Sequence, residues 1–154
     1  MQPRLIAWAG DVGYRYSGQT LEPRPLTPTV AALMQGAVEA TGTPFNHVLL
    51  NRYRDGMDMM GRHADNEPEL GKDPLIAAIS LGASRPFVLW PKDKRAKTKD
   101  KKRIELRHGQ LLVMGGNIQH TWRHGVPRVA GLKEERINLT FRRLMGPPGW
   151  RSAT

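Results

Sequence analysis

A mainly β fold with one supporting helix, a β-sandwich or jelly roll, is predicted by three features of the sequence. Most apolar segments are short, rich in Ile, Val, Leu, Phe and Trp, and separated by Gly, Pro, Asn or Asp. One stretch alone carries clear helical periodicity. The chain has 154 residues, 39% of them hydrophobic and 25% charged, which suits a single core. No internal repeat and no Pro/Gly/Ser linker divides it, so 1–154 reads as one domain.

The elements follow in order. Residues 10–18, with Tyr14, Tyr16 and several Gly, suggest short strands and turns. Pro23, Pro25 and Pro28 lead into the helix, with Thr27 as N-cap and Pro28 at the first helical position. Val30, Leu33, Met34, Ala37 and Val38 make its apolar stripe, and Gly42 stands where it should stop. Strands are expected at 45–53, 75–81, 86–90, 103–106, 110–114 and 136–142.

Composition excludes several chemistries. With no Cys there is no disulfide scaffold, thiolate zinc site, iron–sulfur centre or Cys nucleophile. No apolar run approaches the roughly 20 residues that span a bilayer. The opening residues lack the basic and apolar regions of a signal peptide, so a cytoplasmic, monomeric protein with no membrane partner is expected. The net charge is +10, of which residues 92–103 supply eight Lys or Arg against Asp93 and Asp100. A solvated loop has this composition, and so does a loop facing phosphates, where each cation releases a condensed counterion. The segment is expected as a hairpin excursion between two strands.

Residues two apart share a face of a strand. His47, Leu49, Asn51 and Tyr53 fall on one face of their strand. On the last strand Arg136, Asn138, Thr140 and Arg142 share one face and Ile137, Leu139 and Phe141 the other. An ordinary surface strand alternates in the same way. His63 and Asp65 form a His-x-Asp pair, which with a distal His would make a facial triad for iron(II), leaving three coordination positions open. His108, His120 and His124 are candidates for the distal ligand. His120 and His124 have the same strand parity, so spacing does not choose between them, and both together would suggest a four-ligand zinc site.

Six motifs occur in order: Asn-Arg-Tyr-x-Asp-Gly at 51–56, His63-x-Asp65-x-Glu67, Ile-Ser-Leu-Gly-Ala-x-Arg-x-Phe at 79–87, His-Gly-x-Leu-Leu-x-Met at 108–114, Trp-x-His-x-Val-Pro at 122–127, and Arg-x-Asn-Leu-Thr-Phe-Arg at 136–142. In these the chain, from about Pro3 to Leu144, resembles the AlkB family of iron(II)- and 2-oxoglutarate-dependent dioxygenases, closest to its homologue-2/homologue-3-like branch. The resemblance implies a double-stranded β-helix. It also implies oxidative demethylation of bases such as 1-methyladenine or 3-methylcytosine in DNA or RNA, with O2 consumed and succinate, CO2 and formaldehyde released.

The same resemblance distributes roles. His63, Asp65 and His124 would hold iron(II), with His120 a neighbour. 2-Oxoglutarate would lie against Asn51, Tyr53, Arg136, Asn138, Thr140 and Arg142, with Arg142 gripping its distal carboxylate and Arg136 the carboxylate nearer the metal. Tyr16 and His63 would stack on a flipped base. Tyr14, Glu67, Asn66 and Arg4 complete the substrate contacts, Asn66 standing where close relatives have an acidic residue. Met57, Met59 and Met60 are expected as packing. Residues 1–26 would form part of a nucleotide lid and 91–103 a basic loop. Relatives carry a further N-terminal lid region ahead of Pro3, so either the sequence is truncated or its lid is smaller, and in the second case single-stranded substrates gain relative to intact duplex. Two alternatives remain: an oxygenase with a protein, lipid or small-molecule substrate, and a non-catalytic basic jelly roll that binds nucleic acid.

Overall fold

A computed structural model describes residues 3–16, 19–93, 95 and 97–145, with the backbone alone for 14–16, 19, 20 and 98. The helix forms where its signals lie. α1 spans Pro28–Thr41; the Thr27 side chain accepts from Val30 N, and Gly42, at φ 70°, ends the helix by donating its N–H to Val38 O. A left-handed residue at this position is nearly free of cost only for glycine.

The strands are β1 (Leu5–Gly10), β2 (Tyr14–Tyr16), β3 (Gln19–Leu21), β4 (His47–Tyr53), β5 (Met60–His63), β6 (Ile76–Gly82), β7 (Arg85–Pro91), β8 (Lys102–Leu106), β9 (Leu111–Met114), β10 (Trp122–Val126) and β11 (Arg136–Arg142); a short helix, α2 (Ile118–Thr121), precedes β10. They build a five-stranded sheet ordered β1-β4-β11-β6-β9, a four-stranded sheet ordered β5-β10-β7-β8, and the small β2-β3 pair. All strand pairings are antiparallel.

The alternation along β11 explains how the sheets are used. Leu139 and Phe141 point to one side and, with Val48, Ala77 and Phe45, pack against Met34 and Ala37 of α1. Each fully buried large side chain of this kind contributes about 1.5–3 kcal/mol by leaving water. The other side of this sheet faces the second sheet, where Tyr53, Ile76 and Met114 meet Phe87, Leu89, Leu106 and Val126. The polar row of β11 therefore opens into the space between the sheets.

Several boundaries differ from the sequence expectation. The strand expected at 45–53 begins at His47, because the Asn46 side chain pairs with both the N–H and the carbonyl of Leu144. β5, β10 and α2 come from stretches rich in Gly, His and Arg, which give no apolar period. Gly125 permits β10 to press on β5: a Cβ there would lie 2.8 Å from Met60 O. The basic segment connects β7 to β8, as expected of a hairpin excursion, and contains a 3-10 turn at Thr98–Asp100. Among the described residues no helix is long and apolar enough to cross a membrane.

Candidate active site

His63 on β5 and His124 on β10 are direct register partners, so both imidazoles point to the same side of the second sheet. Asp65 follows two residues beyond His63. One ligand atom from each of the three lies within 4.8 Å of the others. His63 Nε2 is 3.5 Å from Asp65 Oδ1, and His124 Nε2 is 3.9 Å from Asp65 Oδ2. The ring nitrogen Nδ1 of His63 sits 2.9 Å from Gly61 O. A carbonyl only accepts, so Nδ1 carries the proton and Nε2 presents its lone pair to the cluster.

Electrostatics favour a cation here. Burial lowers the His124 pKa to about 4, with His63 and Arg142 adding to the effect against the opposing pull of Asp65, so the ring is neutral near pH 7. Burial alone would raise the Asp65 carboxyl, but Arg142, His63 and His124 outweigh it and hold the group well below the usual carboxylate range. Asp65 Oδ2 is buried without a hydrogen-bond partner. An ionised carboxylate with an unsatisfied oxygen, beside two imidazoles, fits a divalent metal such as iron(II).

The cluster opens into a cavity of about 440 Å³ including its mouth, lined on the opposite wall by Asn51, Tyr53, Arg136, Asn138, Thr140 and Arg142. These side chains are already ordered among themselves. Arg136 Nη2 donates to Ser80 Oγ at 2.8 Å and Asn138 Oδ1 at 3.2 Å, and Asn138 Nδ2 donates to Thr140 Oγ1 at 2.7 Å. The two arginines stand in different places. Arg142 Nη2 lies 3.2 Å from Asp65 Oδ1, next to the metal ligands. Arg136 lies away from them, 5.2 Å from the Tyr53 ring centroid. The geometry is the reverse of the order expected from the sequence. Burial pulls the Arg136 pKa below its ordinary value, and its Nε is buried without a hydrogen-bond partner, so a bound anion would be welcome there.

The other expected site residues divide. His120 does not share strand parity with His124, because α2 runs to Thr121 and β10 starts only at Trp122. Its Nε2 faces Lys72 O and Asp73 Oδ1 instead, and His108 Nδ1 accepts from Gly82 N. Neither joins the cluster, so the four-ligand zinc arrangement does not form. Arg4, expected among the substrate contacts, is buried, and its Nε donates to Asn51 Oδ1. Asn66 is exposed. Glu67 is half-buried, with Oε2 lacking a hydrogen-bond partner. The side chains of Tyr14 and Tyr16 lie outside the described residues.

Three buried polar residues carry roles that the sequence did not announce. Arg85 donates to the carbonyls of Asp55, Asp58 and Pro127 and, like Arg136, lies 5.2 Å from the Tyr53 ring centroid. Ser80 supports Arg136. Gln119 Oε1 accepts from Asp65 N at 2.9 Å. Arg85 and Ser80 belong to the 79–87 motif, and their presence in it was the available signal; Gln119 had none.

With fold and cluster in place, comparison defines the class. The sequence profile of the 2OG-Fe(II) oxygenase superfamily matches residues 2–142, and the chain belongs to that superfamily. It is 42% identical over 162 residues to alpha-ketoglutarate-dependent dioxygenase alkB homolog 3 of Rattus norvegicus, covering 99% of this chain and 55% of the relative. It is 41% identical over 149 residues to DNA oxidative demethylase ALKBH2 of Mus musculus, covering 93% of this chain and 62% of the relative. The chain thus spans little more than half the length of the curated relatives it matches. The solved structure of OsALKBH1 superposes with a TM-score of 0.67 over 90% of this chain and 77% of the other, at 19% identity, which supports the jelly roll. The likeness to the AlkB family, carried by six motifs, therefore extends along the whole chain.

Proposed function

We propose that this chain is an iron(II)- and 2-oxoglutarate-dependent oxygenase that removes methyl groups from alkylated bases in DNA. The observation that carries the reading is the His63–Asp65–His124 cluster opening directly onto the Arg136–Asn138–Thr140–Arg142 row. The names of the relatives in Rattus norvegicus and Mus musculus, a 2-oxoglutarate dioxygenase and a DNA oxidative demethylase, supply the co-substrate and substrate class.

Iron(II), when bound with 2-oxoglutarate and O2, supplies oxidation of the methyl carbon, with succinate, CO2, formaldehyde and the bare base as products. His63, Asp65 and His124 would hold the metal on one face and leave the other toward the cavity. Arg136 would hold the distal carboxylate of 2-oxoglutarate in a charge-assisted hydrogen bond, supported by Ser80, Asn138 and Tyr53. Arg142 keeps Asp65 ionised and would neutralise the other carboxylate of 2-oxoglutarate. The apolar wall of Leu106, Leu112 and Met114 would exclude water from the keto-acid. A base methylated at adenine N1 or cytosine N3 is cationic and does not pair normally, which lowers the cost of flipping it out. Glu67, with its unsatisfied buried oxygen, is suited to meet that positive charge, and Lys99, Lys101 and Lys102 would offer cations to phosphates.

The test is purified protein with iron(II), ascorbate and 2-oxoglutarate against DNA and RNA oligonucleotides bearing 1-methyladenine or 3-methylcytosine, read by mass. Loss of the methyl group coupled to succinate release is expected with DNA. Succinate release without any change in the oligonucleotides would move the enzyme to another substrate.

A further inference from the structure

β5 ends at His63, so the amide of Asp65 lies beyond the ladder that orders His63. Its acceptor is the side chain of Gln119, at 2.9 Å, and Gln119 is 1% exposed. The rest of Gln119 is fixed as well. Its Nε2 faces Met114 Sδ at 3.9 Å, its carbonyl accepts from Lys92 Nζ, and Thr121 O accepts from Lys92 N at 2.8 Å. The next residue, His120, ties the far side of α2 to Lys72 and Asp73. α2 then runs without a linker into β10, which carries His124.

We infer that Gln119 is a positioning residue that sets the geometry of the metal centre by referencing Asp65 to the same rigid element that leads into His124. The peptide plane of Asp65 directs its Cα–Cβ bond, and one hydrogen bond from a buried side chain holds that plane. Without it, the Asp65 backbone would depend on the 64–75 connection, and its carboxylate on Arg142, for its place beside His124. Lys92 takes part in this bracket and is therefore a strut for α2, although composition groups it with the phosphate-facing cations.

The inference rests on the metal-dependent reading above, and the test separates the two. Mn(II) affinity is measured by calorimetry on the metal-free full chain, and the visible spectrum of the Co(II) form reports ligand geometry. Gln119→Met keeps length and volume but removes the acceptor; Gln119→Asn keeps the amide one methylene short and decides the matter if the first variant fails to fold. A weakening of Mn(II) binding by about tenfold or more is expected, the usual size of such outer-contact effects, with a changed Co(II) spectrum. His120→Ala, which loosens α2 but leaves the bond to Asp65, should stay within about twofold of the parent. Affinity and spectrum unchanged in the Gln119 variants would overturn the role, as would an equal loss in His120→Ala. If the parent itself binds no Mn(II), the metal-dependent reading fails instead.

Discussion

The two sheets that enclose the site are built to different standards of enclosure. The five-stranded sheet is packed against α1 on one side and forms the cavity wall on the other, and its cavity-facing arginines are nearly inaccessible: Arg136 is 1% exposed and Arg142 3%. The four-stranded sheet keeps its outer face wet, with Arg62 stacked 4.3 Å over Trp90 and Arg123 exposed alongside. Even its metal-facing His63 side chain is 29% exposed, against 4% for His124. Under the proposed function the co-substrate would lie against the deeply packed sheet, and the metal and an incoming base would sit at the more open one.

The largest expected effect is on the open sheet. Asp65→Ala should abolish metal binding and turnover while the far-ultraviolet dichroism stays native, and retained turnover would contradict the cluster. On the packed sheet the two arginines should separate cleanly. Arg136→Lys should raise the KM for 2-oxoglutarate by about 10–100-fold, corresponding to the loss of about 1.5–3 kcal/mol of charged hydrogen bonding, with Mn(II) affinity unchanged. Arg142→Lys should alter Mn(II) affinity as well, since it touches Asp65. If the two variants have the same profile, the assignment of distal and proximal ends is wrong.

Packing gives the next contrast. Phe141→Ala, on the α1 face of the same strand, should cost about 3–5 kcal/mol in urea unfolding, whereas Arg62→Ala on the wet face should stay within about 0.5 kcal/mol. pH sharpens it further. His47, buried opposite Arg142, is lowered to about 3, first by burial and then by Arg142, and His124 to about 4. Both imidazoles gain protons more readily in the unfolded chain, near pH 6.5. The metal-free protein should therefore lose stability as pH falls from about 6.5 towards 4, by about 1 kcal/mol per unit for each imidazole. A urea midpoint that stays flat over that range would show that neither ring is buried neutral. The smallest effect belongs to the connection between β7 and β8. Neutralising Lys99, Lys101 and Lys102, all exposed, should flatten the salt dependence of DNA binding by about one unit of slope for each phosphate left without its cation, with little change in kcat.

The same contrast governs what could be read from the sequence. α1 and β11 were legible because caps, Pro and Gly bound the helix and strict alternation separates Phe141 from Arg142. The open sheet was not, since β5 and β10 carry His, Arg and Gly in place of an apolar period. Parity could not separate His124 from His120, because α2 resets the count one residue before β10. The order of Arg136 and Arg142 was inverted because a row on a strand has no direction until the position of Asp65 is known. Gln119 and Arg4 gave no sign of their partners: their value lies in hydrogen bonds to Asp65 and Asn51, made across 54 and 47 residues of chain.

His63 and His124 face each other across neighbouring strands, and β5 lies at a sheet margin: among the described residues it is bonded to β10 and to no strand beyond it. An ion held by both rings would consequently act as a rivet through that margin, fastening its outermost ribbon to the body of the sandwich. Chelation should then do more than silence the enzyme. It should let this corner breathe, so that amide protons of residues 60–63 exchange with solvent sooner than those of β11, and reconstitution with metal should slow them again.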